Sequence, residues 1–192
     1  ITYIYNLCIE KCRLPQAFKD AKVLPFFKTG DTNDPSNYRP ISILSTLSKP
    51  LEKHIKHNLQ THFSIHNLFH PNQSGFRKNH SCHTLLTNII EHWHENINKN
   101  LLSGIVFVDF AKAFDTIDHA LLLRKLVLYG LCPESVKFVS SFLRNRRQVV
   151  VQDFVTSPSM PIKYGVPQGS VLGPILFSVY INDLPLNVST SC

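Results

Sequence analysis

Acidic side chains are scarce in this sequence relative to basic ones: 13 Asp and Glu stand against 20 Lys and Arg, and only 17% of the 192 residues carry a charge. The resulting net charge of +7 favours a polyanionic partner, nucleic acid above all. With so few charges, the positive excess is expected to be concentrated rather than spread. Cysteine is thin and irregular. Cys8, Cys12, Cys82, Cys132 and Cys192 are odd in number, scattered, and form no CxxC pair, which argues against a secreted disulfide framework and fits a reducing compartment. No apolar run approaches the roughly 20 residues of a membrane span, and no N-terminal targeting segment is visible. Repeats and low-complexity tracts are also missing. The chain has no initiating Met and opens on "ITYIYNLCIEKC", so both ends read as cut from something longer.

What is present can build a core, since 43% of residues are hydrophobic. Apolar positions 1, 4, 5, 8 and 12 predict a helix at the start. "AKVLPFFKTGDTNDPSNYRPISIL" reads as strand, long turn, strand, with Gly, Pro, Asp and Asn between Thr29 and Asn37. Leu51, Ile55, Leu59 and Phe63 recur at helical spacing, with Ser48 as N-cap and Pro50 in the first turn. Leu85, Leu86, Ile89, Ile90, Trp93 and Ile97 mark a second helix face. "SGIVFVD" reads as a strand buried on both faces. A Leu-rich helix over 118–129 is closed by Gly130, and Pro133 opens another with Val136, Val139, Phe142 and Leu143 inside. "QVVVQDF" and "PIKYGV" read as a hairpin, and "SVLGPILFSVYIND" as a last helix whose Pro174 is tolerable only in the first turn. Helices and strands mix without strict βαβ alternation, which is an α+β pattern.

Three clusters could carry chemistry. In "VFVDFAKAFDTIDH", Asp115 and Asp118 read as helix-start residues. Asp109 differs, because it ends an apolar strand where an unpaired carboxylate is costly and a cation would relieve it. A hard cation such as Mg²⁺ prefers carboxylate oxygens, phosphates and water. In "YGVPQGSVLGP", three glycines and two prolines bracket Gln168 and Ser170 ahead of an apolar helix. Such a loop reads as a tight turn or as a close approach to a flat or anionic ligand. The third cluster is basic: Lys22, Lys28 and Arg39 flank the first long loop, Arg77 and Lys78 sit in the second, and Arg144, Arg146 and Arg147 precede the hairpin. Singly, each reads as a solvated surface charge. Together, basic loops around an acidic site are what phosphate and nucleic-acid backbone require.

In order along the chain, "VLPFFKTGDTNDPSNYRPISIL", "NQSGFRKNHSCHTLL", "VFVDFAKAFDTIDH" and "YGVPQGSVLGPILFSVYINDLP" resemble two fingers motifs and two palm motifs of the reverse transcriptases of non-LTR retrotransposons. The resemblance implies a right-hand polymerase fragment, with fingers and fingers–palm helices over 1–100 and a partial palm over 101–192, an antiparallel palm sheet backed by helices, and no thumb. It implies that Asp109 is the catalytic carboxylate for two Mg²⁺ ions, joined by the backbone carbonyl of Phe110. Lys28 and Arg39 match residues that hold an incoming dNTP. Phe114 matches a steric gate against the ribose 2′-hydroxyl, with core packing as the other reading. Pro167, Gln168 and Gly169 match the loop against nucleotide and template. Arg77, Lys78, Arg144, Arg146 and Arg147 are weaker candidates for nucleic-acid contact. RNA template, DNA primer and dNTP are the implied partners, with an upstream endonuclease and a downstream thumb in a longer polyprotein and no membrane. Nucleus and cytoplasm follow from the family alone.

The family's aromatic–Ala–Asp–Asp hairpin is absent before Cys192, and Asp183 in "YINDL" is not its replacement. The remaining carboxylate ligands are therefore expected outside these residues, and the chain alone is expected to be inactive. Three rivals remain in view. A non-catalytic nucleic-acid-binding remnant of a retroelement shares every charge argument. A two-metal nuclease leaves "VPQGS" and Phe114 unexplained. Zinc at His80, Cys82, His83, His92 and His94 lacks a paired-ligand spacing, and Cys8 and Cys12 read as core.

Overall fold

The computed structural model describes residues 1–187. In chain order its regular elements are α1 (Thr2–Glu10), β1 (Ala21–Phe27), β2 (Tyr38–Ile43), α2 (Ser48–Ile65), α3 (Cys82–Asn98), α4 (His119–Leu128), α5 (Pro133–Leu143), β3 (Arg146–Gln152), β4 (Val155–Thr156), β5 (Met160–Ile162) and α6 (Gly173–Ile181). This is the expected α+β mixture, a sheet backed by helices.

The helices form where apolar spacing and caps agree. On α2, Leu51, Leu59 and Phe63 are buried, though the cap lies one residue earlier than the sequence predicts. Leu47 occupies the cap position, and the Ser48 hydroxyl turns inward to Ser45 O (2.8 Å) and Glu52 Oε1 (3.0 Å). On α4, Asp118 is the cap, its Oδ1 accepting from Leu121 N at 2.8 Å, and Gly130 at φ +78° ends the helix. The helix-start reading therefore holds for Asp118 and fails for Asp115, which is engaged elsewhere. Pro133 and Pro174 each sit in a first helical turn, where the missing N–H removes no helical bond. The core gathers Phe63, Ile117, Leu122, Leu126, Phe142, Leu143, Ile175 and Leu176 from α2, α4, α5, α6 and the turn before α4, all fully buried. Burying each such side chain is worth about 1.5–3 kcal/mol. Buried Asn182 ties the end of α6 to this core, accepting from His70 N and donating to Leu68 O and Tyr129 Oη.

The sheet runs β2-β1-β3-β4, with β5 also on β3. β1 and β2 are antiparallel (Lys22↔Ile43 to Phe27↔Tyr38), and β3 and β5 form the expected hairpin (Arg146↔Ile162 to Gln148↔Met160). β1 and β3 are parallel (Ala21↔Gln148 to Val23↔Val150), so the whole sheet is mixed and draws strands from both sides of residue 100, while the strands within 101–187 pair antiparallel. Asp153 and Phe154, both at positive φ, make the tight β3–β4 turn.

The largest departure is the expected buried strand at 105–108. These residues form no strand, and Val106 and Phe107 are 87% and 85% exposed. A strand exists only through a ladder partner that satisfies its N–H and C=O groups, and among the described residues none pairs with this stretch. α3 forms as predicted, with a capping box between Ser81 and Thr84. Its apolar face is nonetheless exposed, Leu86 at 54% and Ile97 at 65%.

Candidate functional site

A cavity of about 960 Å³ opens between the β1–β2 hairpin, the turn at 110–115 and the loop at 164–168. Lys28, Arg39, Phe110, Phe114, Pro167 and Gln168 all line it. Six residues singled out from three distant stretches of sequence thus share one cleft.

The hairpin wall is stiffened locally. Lys28 N donates to Asn37 O at 2.8 Å, Asp31 Oδ1 accepts from Asn33 N at 2.9 Å, and Asp34 accepts from Ser36 N and Oγ at 2.8 and 2.7 Å. Hydrogen bonds from the Ser36 side chain and backbone hold the Asp34 carboxyl below its ordinary pKa. These Asx turns fix the spacing of Lys28 and Arg39, two exposed cations without a carboxylate partner among the described residues. They make the cleft mouth an anion-attracting surface.

The opposite wall is stitched to the turn at 110–115. Val166 N donates to Phe114 O and Gly165 N to Ile117 O, both at 2.8 Å, and His119 Nε2 donates to Gly165 O at 2.7 Å. Gln168 Nε2 lies 3.0 Å from each carboxylate oxygen of Asp115. Because a carboxylate only accepts, the amide nitrogen must face it. This contact is what engages Asp115 in place of the predicted cap. Phe114 is half-buried, with ring centroids 4.9 Å from Phe177 and 6.0 Å from Phe76. The Phe114 ring thus both packs against other rings and lines the cavity.

The glycines serve this docking. A Cβ on Gly165 (φ +78°) would lie 2.6 Å from Asp115 Cα and Phe114 O. One on Gly169 (φ +129°) would lie 2.4 Å from Ser42 O. Glycine is required so that two backbones can meet, and Gly169 itself is exposed beside the cavity rather than in its wall.

Asp109 is exposed and adjoins Phe110, but it is not part of the cavity wall. Among the described residues no group of three or more His, Cys, Asp or Glu could hold a metal.

The weaker basic candidates separate. Arg77 organises its own loop, donating to His70 O (3.2 Å) and Gln73 O (2.9 Å) and covering the Phe69 ring. Lys78 and Arg144 are exposed, and Arg147 braces Ser159 Oγ at 3.0 Å. Arg146 is no surface charge, at 1% exposure. It donates to Phe142 O (2.6 Å) and Lys19 O (3.0 Å), and its Nη2 is buried without a partner. Burial pushes its pKa down to about 10, with Glu52 and Asp20 opposing the shift. Burial, then the charges of Arg146 and Arg13, also lowers Lys19.

Sequence reasoning missed Asp115 as the partner of Gln168, and it missed Glu52. The first pairing spans 53 positions and leaves no local trace. Glu52 had one: an acid beside Leu51 on the apolar stripe of α2.

Residues 28–192 match the family described as reverse transcriptase (RNA-dependent DNA polymerase). Among curated proteins, the chain is 34% identical over 187 residues to the probable RNA-directed DNA polymerase from transposon BS of Drosophila melanogaster, covering 96% of this chain and 20% of that protein. It is 34% identical over 186 residues to the RNA-directed DNA polymerase from mobile element jockey of the same species, with the same coverage. Identity to the Pol polyprotein of retrotransposable element R2DM is 27% over 184 residues, covering 94% of this chain and 17% of that protein. The chain spans about a fifth of the length of these relatives.

Proposed function

Because the chain belongs to the reverse transcriptase (RNA-dependent DNA polymerase) family, we propose that it forms the nucleotide-binding part of a non-LTR retrotransposon polymerase that adds deoxynucleotides to a primer 3′-hydroxyl on an RNA template. Residues 1–100 are assigned to fingers and fingers–palm helices and 101–192 to a partial palm, with the β3–β5 hairpin of the second part completing the sheet of the first. The observation that carries this reading is the convergence of Lys28, Arg39, Phe114, Pro167 and Gln168 on one open cavity.

In this reading Lys28 and Arg39 neutralise the triphosphate, an electrostatic task suited to fixed cations at a cleft mouth. The braced Phe114 ring crowds the 2′ position of the sugar. Pro167 and Gln168 form the wall against base and template, with Gly169 admitting the loop to Ser42. Asp109 and the Phe110 carbonyl are this chain's share of a magnesium site whose other ligands lie outside the described residues. Lys78, Arg144 and Arg147 remain available for template or primer phosphates. Template, primer, endonuclease and thumb belong to the proposal for the longer protein.

The test is primer extension on an RNA template by the full-length protein carrying this chain. Extension by wild type and its loss in a Lys28→Ala/Arg39→Ala double variant support the reading. Template binding without extension by wild type favours a non-catalytic remnant, and shortening of a labelled primer favours a nuclease.

A further inference from the structure

Two walls of the cleft are held together twice, once within its lining and once behind it. Arg39, Ser42 and Glu52 lie on one continuous stretch, from β2 into α2. Gln168, Val171 and Leu172 lie on another, leading into α6. The stretches meet twice: Ser42 N donates to Gln168 O at 2.7 Å, and Glu52 Oε2 accepts from Val171 N at 2.8 Å and Leu172 N at 3.3 Å. Glu52 is 2% exposed, and its other oxygen accepts from the Ser48 hydroxyl at 3.0 Å.

The grip reaches the cleft through a short rigid turn. Ser170 N and Oγ both donate to Pro167 O (3.1 and 2.9 Å), and Gly173 N donates to Ser170 Oγ at 3.0 Å. Fixing Val171 and Leu172 therefore fixes Pro167 and Gln168. We propose that Glu52 is a positioning residue for nucleotide binding, setting the separation between the Arg39 wall and the Gln168 wall of the cleft. This rests on the polymerase reading above and adds a residue that touches no substrate.

Hydrogen bonding is the working element. A glutamine at this position keeps an oxygen for Val171 N and Leu172 N, and its amide nitrogen can donate to Ser48 Oγ, which still has Ser45 O at 2.8 Å. A methionine keeps the volume and loses the acceptors, leaving the partly buried N–H of Val171 and the buried N–H of Leu172 unmet.

The experiment compares wild type, Glu52→Gln and Glu52→Met in the full-length protein. It reads amide hydrogen exchange over residues 165–172, nucleotide KM and kcat in primer extension, and template–primer affinity. Expected for Glu52→Met is faster exchange confined to 165–172 and a nucleotide KM raised by about tenfold or more, with kcat and template affinity within about threefold, because misplacing a binding wall by a fraction of an ångström weakens positioning. Glu52→Gln is expected to restore both exchange and KM to near wild type. The proposal is overturned if Glu52→Met leaves exchange and KM unchanged, lowers kcat and template affinity as much as it raises KM, or does not fold, and equally if Glu52→Gln behaves like Glu52→Met. A wild-type protein that extends no primer defeats the polymerase reading, while the exchange pattern alone still decides whether Glu52 holds the loop.

Discussion

The glycine- and proline-bearing loop at 164–172 and the more apolar stretch at 82–110 meet opposite fates. The loop is fastened to its surroundings by hydrogen bonds donated by Ser42 and His119 and accepted by Glu52 and Asp115, and it delivers Pro167 and Gln168 to the cleft. The stretch forms a capped helix, α3, followed by an irregular run, yet Leu86, Ile97, Val106 and Phe107 face solvent. Caps and periodicity mark where α3 forms, while the run at 105–108 has no ladder partner among the described residues and forms no strand; a complementary surface is what makes either part of a core. The expected site residues divide the same way. Those on fastened segments converge, whereas Asp109, at the end of the unfastened run, stands beside the cavity without entering its wall.

The sharpest way to break this contrast is at Asp109. Asp109→Asn in the full-length protein is expected to abolish primer extension while template binding, measured by filter retention, stays intact; retained extension would remove Asp109 from the site. In the fastened half, Phe142→Ala is expected to destabilise by about 3–5 kcal/mol, since a fully buried ring leaves a cavity, as read by denaturant titration. Gly169→Ala should cost about 1–3 kcal/mol through its positive φ and the clash with Ser42 O, whereas Gly75→Ala, whose nearest neighbour would be a side chain at 3.6 Å, should be close to neutral. Phe114→Ala is expected to raise ribonucleotide incorporation by roughly 10- to 100-fold; an unchanged sugar preference rejects the gate. The smallest effect belongs to the unfastened half: Leu86→Ala should change stability by less than about 0.5 kcal/mol. A larger loss in the full-length protein would show that α3 is covered there.

The sequence makes legible whatever short-range rules decide. The β1–β2 hairpin, the α2 stripe, Pro133 and Pro174 in first turns and Gly130 as a terminator all lie where spacing and backbone chemistry place them. Motif order made Lys28, Arg39, Phe114 and Gln168 legible as a set. What could not be read depends on long-range company. Val106 and Phe107 have the composition of a buried strand, but burial needs a partner strand that no local pattern supplies. Asp115 looks like a cap because caps are local, while Gln168 is 53 positions away. Arg146 resembles its neighbours Arg144 and Arg147, and only the fold distinguishes the one that points inward, toward the carbonyls of Lys19 and Phe142.

The parallel pairing of β1 with β3, locked by Arg146 on the Lys19 carbonyl, also has a consequence for biosynthesis. The bonded residues are 127 positions apart, and at typical elongation speeds of about 5–20 residues per second Lys19 leaves the ribosome roughly 6–25 s before Arg146. Throughout that interval one hairpin edge is bare, so nascent chains are expected to depend on chaperone cover, and slowing translation just ahead of the Arg146 codon should lower the yield of soluble product.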